Sequence, residues 1–117
     1  MTIKRIQSGP RMSQAVVHGG VVYLAGQVAM DAKAPTVTEQ TKIILGQIDR
    51  LLAEAGTSKE RLLTASIWLA SMDTFGEMNE VWDKWVLQGS TPARATVEAR
   101  LARPDLLVEI AVTAALP

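Results

Sequence analysis

The chain contains no cysteine and only one histidine, His18, among 117 residues. The missing thiols exclude disulfides, thiolate catalysis and cysteine metal sites, and they fit a reducing compartment. His18 sits beside Gly19 and Gly20 with no acidic residue at ligand spacing. It is expected to be a solvated turn residue rather than a metal ligand or a base. Without a histidine near Ser13 or Ser66, a serine nucleophile has no support. Neither sign of charge is in excess, since twelve basic residues balance twelve acidic ones, and no basic run exceeds two residues. The clustered positive footprint of a nucleic-acid binder is therefore lacking, and no nucleic-acid partner is expected. Aromatic residues make up only 4%. Phe75, Trp82 and Trp85 have no interleaved basic residue beyond Lys84, so they read as core or interface rather than a base-stacking platform. No stretch approaches the ~20 apolar residues of a membrane span, and Met1–Gln7 lacks the apolar region of a signal peptide. A soluble, cytoplasmic protein without a membrane partner is expected.

What is present suits one globular domain, residues 1–117, with 48% hydrophobic and 21% charged residues. Ala15–Val17 and Val21–Ala25 flank His18-Gly19-Gly20 and predict a β-hairpin. Residues 26–37 read as a loop, with Asp31 and Lys33 as ordinary loop residues. Thr38–Ala55 predicts a helix capped by Thr38. Its apolar stripe is Ile44, Leu45, Ile48, Leu51, Leu52 and Ala55, and Gly56 stands at its C-terminal stop. Arg61–Ala70 predicts a strand with Ala65, Ile67 and Leu69 on one side and Thr64, Ser66 and Trp68 on the other. Trp68, on the polar side, is placed either in a cleft or at a subunit contact. A second helix is predicted from an Asp73 cap to Leu87, with Phe75, Met78, Trp82 and Trp85 on one face. Strands Arg94–Leu101 and Leu106–Ala115 follow, joined by a turn at Arg103-Pro104-Asp105. The order β-β-α-β-α-β-β predicts an α+β sandwich with both helices on one side of the sheet. The other side then needs cover, for which self-association is the simplest source.

Parity in the last two strands singles out candidate chemistry. Arg94, Thr96, Glu98 and Arg100 alternate with Ala95, Val97, Ala99 and Leu101. Glu109 shares its parity with Leu107, Ala111 and Thr113, opposite Val108, Ile110, Val112 and Ala114. A charge within such an apolar strand is costly unless it is paired or used. Two readings stand side by side. In one, Arg94 and Glu109 form a partly buried ion pair, or Glu98 and Arg100 are solvated cross-strand partners. In the other, Arg94 clamps a substrate carboxylate and Glu109 handles a proton or a water.

Pro92-Ala93-Arg94-Ala95-Thr96-Val97, Leu101 and Val108-Glu109-Ile110 resemble the pattern of the Rid (YjgF) family of enamine/imine deaminases. The likeness continues through Gly19, Leu24-Ala25-Gly26-Gln27, Gln40-Thr41, Leu52–Gly56 and Met78-Asn79 to Trp82, nearly the whole chain. It implies a homotrimer of chorismate-mutase-like subunits with clefts at the subunit interfaces and no cofactor or metal. The implied reaction is hydrolysis of 2-aminoacrylate-like enamine and imine acids to 2-keto acids and ammonia. The implied roles are carboxylate binding for Arg94, water activation for Glu109, and positions in the substrate site for Asn79, Thr96 and Gly26. Thr96 stands where many deaminases have cysteine. Two departures bear on the substrate: Arg11 follows Gly9-Pro10 where many deaminases have a lid tyrosine, and Ala25 replaces a serine before Gly26-Gln27. Arg11 is expected to add positive charge at the cleft mouth and favour a dianionic ligand. The alternatives are a non-catalytic carboxylate sensor on the same scaffold and, with least support, an RNA-acting or chaperone role.

Overall fold

A computed structural model describes residues 1–30 and 33–117. Its strands are β1 (Lys4–Ser8), β2 (Ser13–His18), β3 (Val21–Leu24), β4 (Leu62–Leu69), β5 (Ala93–Glu98) and β6 (Val108–Ala115). Its helices are α1 (Val37–Ala55) and α2 (Phe75–Trp85). The expected series gains one strand, β1. Lys-Arg-Ile-Gln-Ser carries a single apolar residue, Ile6, and that alone is buried because β1 is an edge strand. Such a strand shows no alternation to detect. Gly19 and Gly20 both take positive φ, 60° and 78°, between the paired residues His18 and Val21. The expected hairpin turn is present, with His18 exposed at its edge.

The cap of α1 lies two residues earlier than predicted. Thr36 Oγ1 accepts from the Glu39 amide at 3.1 Å. Thr38 sits inside the first turn, and its amide and hydroxyl both donate to Glu77 Oε2 at 2.9 Å. A carboxylate from α2 thus satisfies donors that a helix N-terminus leaves free. Gly56 closes α1 at φ 92°, where a side chain would be strained. The α2 helix is shorter than Asp73–Leu87. Asp73 is not its cap, because Met72–Thr74 form a separate 3-10 turn in which Ser71 Oγ accepts from the Asp73 amide.

The sheet order is β1-β2-β3-β6-β4-β5, with β4 and β5 parallel and every other pair antiparallel. Both helices pack on one side, α1 against β2, β3, β6 and α2. The expected α1 stripe, the Val108–Ala114 set of β6, and Ala65, Ile67 and Leu69 meet there and are buried. The register shifts between Leu62 and Thr64, which turns Leu63 out to 43% exposure without disturbing the inward set. Ile48 is fully buried. Ile48→Ala is expected to cost about 2–5 kcal/mol in urea unfolding, with an unchanged m-value.

The opposite side of the sheet has no helix over it. Tyr23 is 47% exposed and Val97 48%, while Trp68 is half-buried. The apolar Ala95–Val97 side of β5 lies here at the sheet edge and is exposed, and β5 ends at Glu98 rather than Leu101. Among the described residues no helix is long and apolar enough to cross a membrane.

Candidate functional site

Arg94 pairs with Ala65 across the β4–β5 ladder, and Ala65 is buried beneath the helices. Paired residues share a face, so Arg94 points to the helix side of the edge strand. There α2 supplies Phe75, Asn79 and Trp82, an i, i+4, i+7 series along one helix face. Arg94 Nη1 donates to Asn79 Oδ1 at 2.8 Å. The guanidinium lies 5.8 Å from the Phe75 ring centre and 5.4 Å from that of Trp82. Among the described residues no carboxylate reaches Arg94 at ion-pair distance. Arg94, Thr96, Met72 and Phe75 line an open pocket of about 460 Å³. The Thr96 hydroxyl is buried in this region without a hydrogen-bond partner.

Glu109 is built into a different place. It pairs with Trp68 on the uncovered side of the sheet, in central strand β6, and is half-buried. No cation among the described residues lies at ion-pair distance from it. Its carboxylate rests against Gly26: a Cβ added there would meet Glu109 Cδ at 2.9 Å and Oε2 closer still. Gly26 does not adopt positive φ, so it is space for the carboxylate that requires glycine. Its neighbour Gln27 holds the segment in place through backbone bonds to Ile110 in both directions, at 2.8 and 3.1 Å. The Gln27 side chain is 6% exposed. Its Nε2 donates to Gln14 Oε1 and Ala25 O, and its Oε1 accepts from Gln47 Nε2. Gly26→Ala is expected to fold with a melting temperature within a few degrees of wild type, because a flexible carboxylate can move aside. It should nonetheless displace the Glu109 carboxylate, which a Cβ at this position would meet. Thermal melts and a crystal structure of the variant check both halves.

Arg94 and Glu109 therefore lie on opposite faces. Their β4 partners, Ala65 and Trp68, are three positions apart and so point to opposite sides. Two strand spacings and three residues separate their backbones by roughly 14 Å. The Arg94–Glu109 ion pair that parity left open does not form within the chain. Glu98 and Arg100 are not partnered with each other either; Glu98 Oε1 instead accepts from the Met72 amide at 2.9 Å. Thr96 and Asn79 join Arg94, whereas Gly26 joins Glu109. Arg11 is exposed in the β1–β2 turn, at the sheet edge remote from β5.

The Endoribonuclease L-PSP family model matches residues 2–116. The chain is 46% identical over 114 residues to a RutC family protein of Haemophilus influenzae, covering 97% of this chain and 98% of that one. It is 42% identical over 117 residues to the RutC family protein YoaB of Escherichia coli, covering 99% and 100%. A crystal structure of a YjgF family member from Neisseria meningitidis superposes with a TM-score of 0.96 at 49% identity, covering 100% of this chain and 97% of that one. The chain belongs to the Rid (YjgF) family. Its six-stranded sheet with two helices is the chorismate-mutase-like fold of Rid proteins.

On this Rid scaffold several residues acquire roles that sequence reading did not give them. Phe75, read as core or interface, is 39% exposed and forms a wall of the Arg94 pocket together with Met72. Trp82 is buried as expected, but its ring also lies under the guanidinium. The 75, 79, 82 spacing was visible in the sequence; that β5 lays Arg94 across it was not. Gln27, noted only as half of a Gly-Gln pair, is the buried hub beside Gly26. Trp68 lies beside Glu109, on the uncovered side of the sheet. Lys33 is exposed, and Asp31 lies outside the described residues.

Proposed function

We propose that the protein is a cytoplasmic, homotrimeric hydrolase of reactive 2-enamine and 2-imine acids, the 2-aminoacrylate type among them. Arg94 binds the substrate carboxylate through its planar fork, which lysine cannot reproduce. The enamine is taken as its imine tautomer; water adds to the imine carbon and the resulting carbinolamine expels ammonia, leaving the 2-keto acid. Glu109 accepts the proton of the attacking water and returns it to the departing nitrogen. Since Arg94 and Glu109 face opposite ways in one chain, each cleft takes Arg94, Thr96 and Asn79 from one subunit and Glu109 with Gly26 from its neighbour. The exposed β5 edge and the uncovered sheet face supply surface for that contact. Such substrates hydrolyse unaided, so orientation and one charge clamp suffice for a useful acceleration.

The observation that carries this reading is the state of Arg94: an arginine braced by an amide and two rings, with no carboxylate at ion-pair distance among the described residues, beside an open pocket. The test is a coupled assay in which a pyridoxal-phosphate lyase releases 2-aminoacrylate. The protein should speed its conversion to pyruvate and ammonia in proportion to its concentration, and decay at the spontaneous rate would refute the proposal. A second reading is a carboxylate-binding protein without turnover. It is favoured by the fact that no carboxylate among the described residues of one chain lies at ion-pair distance from Arg94. It predicts saturable 2-keto acid binding in calorimetry together with unaccelerated imine loss.

A further inference from the structure

We propose that Trp82 is a positioning residue for the carboxylate clamp, resting on the reading of Arg94 given above. The guanidinium has five donors, and among the described residues only one bond, to Asn79, is made. One hydrogen bond fixes the position of a single nitrogen and leaves the plane of the group free to tilt. The rings of Trp82 and Phe75, at 5.4 and 5.8 Å, supply the missing restraint, since a cation is attracted to the electron-rich face of an aromatic ring. Of the two, Trp82 is the fixed one. It is 4% exposed, whereas Phe75 is 39% exposed at the first position of α2.

Trp82 is itself held. Its ring centre lies 5.3 Å from that of Trp85, tilted by 51°. Trp85 is anchored in turn, donating from Nε1 to Asp49 Oδ2 at 3.0 Å, with the Lys59 ammonium over its ring at 5.2 Å. A line of contacts thus runs from α1 through two indoles to the guanidinium. The support matters for charge as well as geometry. A carboxylate partner would orient Arg94 equally well but would neutralise it and compete with the substrate. Two rings and an amide oxygen orient it and leave its full charge for the ligand. The proposal therefore separates two properties: Arg94 supplies the charge, and Trp82 sets the plane in which two parallel N–H bonds meet a carboxylate.

The test compares an imino acid with its uncharged carboxamide analogue in wild type, Trp82→Leu, Trp82→Phe and Phe75→Leu. Trp82→Leu should reduce the preference for the acid over the amide about tenfold, mainly through KM, and Trp82→Phe should restore most of it. Phe75→Leu, at a surface position that can tolerate the change, should reduce the preference about two- to threefold. A purely structural role for Trp82 would lower both substrates together and leave the preference unchanged, which would overturn the proposal. If Trp82→Leu does not fold by circular dichroism, Trp82→Met, which fills the space without an aromatic face, takes its place, and an unchanged preference there overturns the proposal. Calorimetry with pyruvate separates this idea from the catalytic one. Weaker pyruvate binding in Trp82→Leu, in a protein whose wild type hydrolyses no imine, upholds the positioning role and refutes the hydrolase. A wild type that binds no carboxylate refutes the positioning role.

Discussion

Arg94→Ala is expected to lower kcat/KM for 2-aminoacrylate by about 10²–10³-fold, the cost of removing a preorganised charge from a reaction site. The loss should appear in both KM and kcat, because the proposed carboxylate clamp would bind the substrate and also orient its imine carbon. Arg94→Lys should recover only a small part. An ammonium keeps the charge but cannot make two parallel bonds in one plane, and its contact with the Phe75 and Trp82 rings would be that of a point charge. Stability should hardly change in either variant, since Arg94 lies on an exposed edge strand with one side-chain hydrogen bond. Steady-state rates over a range of enzyme concentrations, corrected for spontaneous decay, make the measurement. Wild-type rates in Arg94→Ala would end the assignment of this residue as the clamp.

The second large effect comes from mixing. In the proposed trimeric hydrolase, Arg94→Ala and Glu109→Ala assemblies should each be nearly inactive. Unfolding and co-refolding an equal mixture should restore about a quarter of the wild-type sites if subunits assort at random around a cyclic trimer. The reason is the opposite orientation of the two side chains: in the proposed trimer an interface is whole when the subunit offering its β5 edge retains Arg94 and its neighbour retains Glu109. If both groups served a site within one chain, no mixed assembly would regain activity. Activity in the mixture above that of either parent, with intact trimers by light scattering, is the result expected.

The sequence made some of this architecture plain. The α1 stripe from Ile44 to Ala55 and the stop at Gly56 were legible because helical periodicity and a left-handed glycine are local signals. The alternation of β6 was equally clear, since a central strand with one face under helices must alternate. β1 was hidden because an edge strand that buries only Ile6 has no pattern. The shift at Leu62–Thr64 was hidden because an extra residue in a strand is set by its partner rather than by its own composition. The division of the candidate site illustrates the same limit at longer range. Parity gave each strand a charge-bearing face but could not say whether the two faces coincide. That depends on β4 standing between β5 and β6, parallel to one and antiparallel to the other. Trp82 was legible as a buried residue and illegible as a support, because its partner comes from another element.

The parallel pairing of β4 with β5 also shapes how the molecule assembles. Strand β4, helix α2 and strand β5 form one continuous β-α-β stretch, residues 62–98, and it contains Arg94, Thr96, Asn79, Phe75 and Trp82 together. Its loops are short, so the entropy of bringing these groups together is small and they can organise as a local folding unit. Gly26 and Glu109 come from near opposite ends of the chain and meet only when β6 inserts between β3 and β4. The stretch that carries Arg94 is thus placed to mature early on the folding pathway, and the contact of Glu109 with Gly26 only with closure of the sheet.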